Sequence, residues 1–391
     1  MNSTEPHDPH GPEDPPNALY VHVPFCLAKC RYCDFYSRPI HPTNADRYTA
    51  AITRQLRGLA APHPLATVFL GGGTPTALGV ERLGEILDAL APLRDGHTEF
   101  SVEANPGAFD EPLARRMIEA GVNRANIGVQ SFQPLELAML GRVHDAAAAR
   151  QAVAVARNAG FANIGIDLMY GLPGQTLTSW LDSLRQAFDL GVEHLSGYAL
   201  SLEPGTPLHA DWRAGAVAEM DESLQRELYD AMIEQAGAAG LTQYEISNFA
   251  RAGFECRHNL TYWHNQPYVG LGPAAASYVG GVRRTNRPDL AAWSAAVLAD
   301  KPPPADEERL PPRQTMAETL MLGFRLRAGV DRSAFASRFG LDMLTAFPRT
   351  LPRYIDQGAL LLEATHIRVA RWALFGTDTI LADIVEEGRA E

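Results

Sequence analysis

From residue 19 onward the chain alternates short apolar runs with longer amphipathic ones. The short runs lie at 19–23, 67–70, 99–103, 124–129, 164–168 and 194–198, and their lengths and aliphatic content predict buried strands. Between and after them, apolar residues recur at helical spacing near 44–60, 79–91, 111–120, 145–159, 176–190 and 220–239. Strands separated by helices predict βαβ units and a parallel sheet. Six units fall short of the eight of a closed barrel, so an open partial barrel and a doubly wound sheet both fit. Past residue 245 the rhythm stops. Residues 248–281 carry Phe249, Phe254, Tyr262, Trp263, Tyr268 and Tyr278, and the prolines 302–304 with the acids after them read as a linker. The tail of the chain predicts helices at 315–326, 333–339, 343–357 and 379–387, with a hairpin at 360–362 and 366–369. The expected organisation is a tail at 1–18, a partial (β/α)6 barrel at 19–245, an aromatic-rich extension with linker at 246–304, and a small winged-helix-like α+β module at 305–391.

Composition narrows the class. With 46% hydrophobic and 20% charged residues, the chain has the balance of a globular protein. Residues 1–17 hold five prolines, four acids and no Lys or Arg, the signature of a disordered tail and not of a secretory signal. No run of apolar residues reaches membrane-spanning length. A net charge of −12 argues against nucleic acid as a partner, and the winged-helix-like module is itself nearly neutral. Four cysteines, three of them crowded together, form no disulfide framework and suit a reducing cytoplasm.

The residues that carry chemistry fall at the C-terminal ends of the predicted strands, where α/β folds place ligands. The first strand runs into Cys26, Cys30 and Cys33, a C-x3-C-x2-C loop in which Lys29 and Arg31 add positive charge. The second is followed by Gly71-Gly72-Gly73-Thr74-Pro75-Thr76, the third ends at Glu103 and Asn105, and the fourth at Gln130 and Ser131. Asp167 ends the fifth and Tyr198 the sixth. Three thiolates on one loop can hold three corners of an iron–sulfur cubane and leave the fourth iron open. A zinc site completed by His22 or Asp34 is the competing assignment. The glycine run is either a tight strand-to-helix turn or a place where backbone meets a ligand closely.

The cysteine loop, with Tyr32 before its third cysteine, resembles the radical S-adenosylmethionine (SAM) superfamily. The ordered set Tyr20–Cys26, Gly71–Thr76, Glu103-Ala104-Asn105-Pro106, Gly128–Phe132 and Ile166–Thr176 resembles the oxygen-independent coproporphyrinogen oxidase family over roughly residues 19–390. The resemblance implies a 4Fe–4S cluster on Cys26, Cys30 and Cys33. It implies SAM contacts from Tyr20, Tyr32, Gly72, Gly73, Thr74, Glu103, Gln130, Arg142 and Asp167. The true oxidases carry a further cysteine where this chain has Phe35, and a longer N-terminal extension; both departures speak against decarboxylase activity. The segment Arg257-His258-Asn259-Leu260-Thr261-Tyr262-Trp263 instead resembles the HemW subgroup, the haem chaperones. An H-N-x-x-Y-W string is equally compatible with a packed aromatic turn. On the resemblance, haem is a third cofactor, with His258, Tyr262, Trp263 and Cys256 as candidate contacts, and no catalytic residue is assigned. The implied partners are haem and respiratory haem-protein acceptors, and the expected location of the chain itself is the cytoplasm. Membrane-associated acceptors and a homodimer are both compatible with the resemblance.

Overall fold

The computed structural model describes residues 15–59, 61 and 63–390. Most of the expected tail, residues 1–14, lies outside them. Residues 15–18 do not: the Asn17 carbonyl accepts from the amides of Ala66 and Thr67, and the first strand begins at Ala18.

Six strands run parallel in chain order: β1 Ala18–Val23, β2 Thr67–Gly72, β3 Glu99–Ala104, β4 Arg124–Gln130, β5 Asn163–Tyr170 and β6 His194–Ala199. Their burial patterns are nearly continuous, as in a parallel sheet covered on both faces. The covering helices include α1 Pro42–Arg57, α2 Gly79–Leu90, α3 Glu111–Glu119, α5 Ala146–Ala159 and α6 Leu177–Asp189; a short α4, Pro134–Leu140, follows β4. Local signals start several of them. Asp110 caps α3, Asp145 caps α5, and Thr176 forms a reciprocal capping box with Ser179 on α6. Each such cap is worth roughly 1 kcal/mol. After β6 come α7 Pro207–Arg213 and α8 Glu222–Ala238, and Trp180 of α6 donates its indole N–H to the Leu228 carbonyl of α8.

The aromatic-rich extension does more than follow the barrel: it extends the sheet at both edges. β7 Thr242–Gln243 and β8 Asn248–Ala250 add antiparallel beyond β6, and β9 Val269–Leu271 adds parallel beside β1. The full order is β9-β1-β2-β3-β4-β5-β6-β8-β7. Between β8 and β9 sits α9, Arg257–Trp263.

The expected linker needs correction. Its acidic residues form a strand, β12 Ala305–Arg309, in a small sheet with β10 Ala276–Val279 and β11 Val282–Asn286. The acids that suggested a solvated linker face a basic strand: Arg284 lies 3.4 Å from Glu307, and Arg287, just past β11, lies 3.0 Å from Asp306. α10, Leu290–Leu298, packs Trp293 against Tyr48 of α1. The C-terminal module follows: α11 Pro312–Gly323, α12 Arg332–Phe339, α13 Met343–Ala346, α14 Thr350–Asp356 and α15 Thr377–Arg389. A three-stranded sheet of β13 Val330–Asp331, β14 Leu360–Leu362 and β15 His366–Val369 completes it, with the expected hairpin in place. The fold is thus an α/β open sheet of six parallel strands, extended at both edges, with a helix-and-hairpin module.

Candidate functional site

One cavity of about 600 Å³ opens at the C-terminal ends of β1–β6. It is lined by Cys26, Cys30 and Cys33 and by Tyr20, Tyr32, Gly72, Gly73, Thr74, Glu103, Gln130, Arg142 and Asp167. Residues spread over 148 positions of sequence therefore meet at one place because parallel strands all end on the same side.

The cysteine loop is held by its backbone. The short strand Phe25–Cys26 pairs with Arg38–Pro39, Ile40 N–H donates to the Cys26 carbonyl at 2.9 Å, and Arg31 N–H donates to the Leu140 carbonyl at 3.0 Å. All three thiols are partly exposed. Burial pushes the Cys33 thiol up to about 11; the Phe35 N–H opposes this and the neighbouring Cys30 and Cys26 sulfurs add to it. Among the described residues, no three His, Cys, Asp or Glu side chains converge tightly on a single point. The three cysteines line the cavity, and three thiolates on one loop are the donor set of an iron–sulfur cluster. The cation that reaches them is Arg142, whose Nη1 lies 3.2 Å from Cys30 Sγ and whose Nη2 donates to the Gly128 carbonyl. Arg31 is engaged with Asp211, and Lys29 donates to the Phe35 carbonyl.

The glycine turn is needed for space. Gly72 has φ 103°, and a Cβ there would meet the His22 ring at 2.5 Å. A Cβ on Gly73 would lie 2.5 Å from the Phe25 carbonyl oxygen. The turn thereby lays its backbone between the cysteine loop and Glu103, which accepts from Gly72 N–H at 3.1 Å.

Across the cavity stand two carboxyls. Burial, then the like charge of Asp167, raises Glu103 to about 8. Burial also raises Asp167, against a hydrogen bond from Asn126 at 2.7 Å, and Asp167 Oδ1 has no partner among the described residues. Two shielded carboxyls with an unmet acceptor make a receptor for an ammonium group or for ribose hydroxyls. The residue set thus fits SAM as well as a cluster. A bound cluster would supply the electron that cleaves SAM; the protein's own groups bind, orient and exclude water.

Among the cavity residues that the sequence did not single out are Arg124, 2% exposed, and Asn126. Their signal was present. Arg124, Asn126, Gly128 and Gln130 alternate along β4 and all line the cavity, so this strand turns a polar face inward. Gln130 sits at a register shift with φ 70°, a left-handed conformation uncommon outside glycine.

The aromatic string divides. His258 and Tyr262 line the cavity, whereas Trp263 and Cys256 do not. His258 is 1% exposed with both ring nitrogens engaged, Nδ1 with Thr67 Oγ1 and Nε2 with the Tyr262 hydroxyl, each at 2.8 Å. Burial, then Arg124, lowers its pKa to about 3. Cys256 is buried, its thiol faces Glu99 at 3.7 Å, and burial pushes it up to about 12. Trp263 lies on another surface, beneath the Arg325 guanidinium. Phe35 is 64% exposed at the cavity mouth. Among the described residues, no helix is long and apolar enough to cross a membrane.

Residues 20–187 match the family model described as the Radical SAM superfamily, and residues 310–375 the HemN C-terminal domain. The chain is similar to "Heme chaperone HemW" of Bacillus subtilis (strain 168), 37% identical over 350 residues that cover 88% of this chain and 92% of the relative. The protein of the same description from Escherichia coli (strain K12) is 37% identical, covering 70% and 74%. "Radical S-adenosyl methionine domain-containing protein 1, mitochondrial" of Mus musculus is 32% identical, covering 95% and 87%. Among solved structures, "Coproporphyrinogen III oxidase (HemN) from Escherichia coli is a Radical SAM enzyme" aligns with a TM-score of 0.81 at 21% identity, over 94% of this chain and 90% of that one, a likeness of fold. The superfamily match brings a 4Fe–4S cluster and SAM as cofactors. With fold, cavity and sequence in agreement over most of its length, the chain belongs to the radical SAM superfamily and, within it, to the HemW family.

Proposed function

We propose that this chain is a haem chaperone: it holds a 4Fe–4S cluster, SAM and haem, and passes haem to respiratory haem proteins, membrane-associated ones among them, from the cytoplasm. The observation that carries the reading is the 37% identity to a heme chaperone across about nine-tenths of both chains. Cys26, Cys30 and Cys33 hold the cluster in this reading. Glu103, Asp167, Arg142, Gln130 and the Gly72–Thr74 backbone hold SAM, and Tyr20 and Tyr32 flank it. Among the haem candidates, His258 has no free ring nitrogen and the Cys256 thiol is turned to Glu99, which leaves Tyr262 and Trp263 as aromatic surface. The competing reading is oxidative decarboxylation of coproporphyrinogen III, favoured by the likeness of fold alone. Phe35, exposed where the oxidases carry a cysteine, weighs against it.

The deciding experiment is anaerobic. The reconstituted protein is given reductant and SAM, and coproporphyrinogen turnover is assayed beside haem titration by absorbance. Haem retention without protoporphyrinogen formation is expected. Sustained protoporphyrinogen formation would overturn the chaperone assignment.

A further inference from the structure

Behind the cavity wall, on the inward polar face of β4, lies a buried cation. Arg124 is 2% exposed and Asn126 6%, while Asp167 next to them on β5 is partly open to the cavity. A guanidinium stays charged at any working pH, and a charge taken out of water needs an answering one. Two carboxylates act on Arg124 most strongly, Glu99 and Asp167. Glu99 is spent on the first turn of α9, where it accepts from Arg257 N–H at 2.9 Å and from His258 N–H at 3.0 Å. Asp167 is the one that borders the cavity.

A single side chain joins Arg124 to Asp167. Arg124 Nη2 donates to Asn126 Oδ1 at 3.4 Å, and Asn126 Nδ2 donates to Asp167 Oδ2 at 2.7 Å. A guanidinium donates and never accepts, so it fixes which end of the Asn126 amide faces it. The amide oxygen turns to Arg124, and the amide N–H is left for the carboxylate. With the amide reversed, two oxygens would oppose each other. β5 makes room for this relay. Gly165 stands opposite Asn126, and a Cβ there would collide with Asn126 Oδ1 and crowd Arg124 Nη2 at 3.2 Å. Glycine weakens a strand interior and marks a close approach, here that of the relay.

Resting on the SAM-binding reading, we propose that Arg124 is a positioning residue of the SAM site: through Asn126 it aims the Asp167 carboxylate at the ligand and keeps it an acceptor. It acts from behind that carboxylate. Arg124 and Asn126 both favour ionised Asp167 against the burial that raises it. Glu103 on β3 opposes them with its like charge. Ser196 and Tyr198 on β6, Tyr32 of the cysteine loop and Arg142 beyond α4 complete the polar groups around Asp167.

Three variants of the full-length, cluster-loaded protein test this, with SAM as the probe, titrated across the range in which perturbed carboxyls ionise, about pH 6 to 9. Arg124→Met keeps the bulk and removes the charge. SAM affinity should fall about tenfold at neutral pH and recover as pH rises. The sign follows from the lost cation: without it Asp167 stays protonated to higher pH, so the whole affinity profile moves up the pH scale. Arg124→Lys restores the charge and should bring the profile back toward that of the unsubstituted chain. Asn126→Leu breaks the relay with Arg124 in place and should weaken SAM by a similar factor. An unmoved profile in Arg124→Met, whatever its stability, would make Arg124 a structural residue only and overturn the proposal. Normal SAM affinity in Asn126→Leu would overturn it equally, and that variant decides the question where Arg124→Met does not fold. Cluster absorbance in each variant reports an intact cysteine loop. Failure of the unsubstituted chain to bind SAM would sink the SAM-binding reading itself.

Discussion

Replacing Glu103 by Gln should make the ligand-free protein more stable and the SAM site weaker. In the folded chain, burial and then the Asp167 charge raise this carboxyl from its ordinary 4.5 to about 8, with the Gly72 N–H and Arg124 pulling the other way. At pH 7 the unfolded chain ionises Glu103 while the folded chain keeps it protonated. The folded state therefore binds more protons, and stability falls as pH rises. The cost is absent below about 4.5, grows up to about 8 and is constant above. Two and a half pH units separate 4.5 from neutrality, each worth about 1.36 kcal/mol, so the ceiling at pH 7 is about 3 kcal/mol. Glu103 is partly open to the cavity, and solvent screening lowers the expected gain to roughly 1–2 kcal/mol. Gln keeps the shape and can still accept from Gly72 N–H, so the comparison isolates charge. The assay is denaturant unfolding of both proteins without SAM from pH 5 to 8.5. The stability difference should be near zero at pH 5 and widen toward pH 8. SAM affinity, measured by titration, should fall about tenfold in Glu103→Gln, as expected for losing a charge-assisted hydrogen bond. Parallel stability curves across that range, or a less stable variant at pH 7, would refute the reasoning.

Serine in place of Cys26, Cys30 or Cys33 should each abolish the visible absorbance of the reconstituted cluster and remove bound iron, whereas Cys256→Ser should leave both intact, since that thiol faces Glu99 away from the cavity. Gly73→Ala should lose SAM binding and about 2 kcal/mol or more of stability, because the neighbours of the new Cβ are rigid backbone atoms, the Phe25 carbonyl and amide and the Val23 carbonyl; a variant that binds SAM normally at an unchanged unfolding midpoint would contradict the close packing of that turn.

What could be read in advance was what is local. The C-x3-C-x2-C spacing and the residue at each strand end are set within a few positions, and the period of the apolar runs is visible in any short window. The edges of the sheet were not readable. β8 and β9 are three residues each, too short for a periodic signal, and Leu19 finds its partner at Val269, 250 positions away. The acidic strand β12 was hidden because its charges are answered by arginines on another strand, a pairing that composition alone reads as solvation. Inside the site the missed signal was a face. Arg124 and Asn126 look like strays in an apolar run until alternate positions are taken together. The same lesson divides the H-N-x-x-Y-W string. His258 and Tyr262 are four residues apart and share one side of α9, so they reach the cavity together. Trp263 is one residue further, about 100° round the helix, and it must look elsewhere. A motif written as one line of letters therefore serves two surfaces, and substitutions at His258 and at Trp263 should separate SAM-site effects from haem effects instead of duplicating one another.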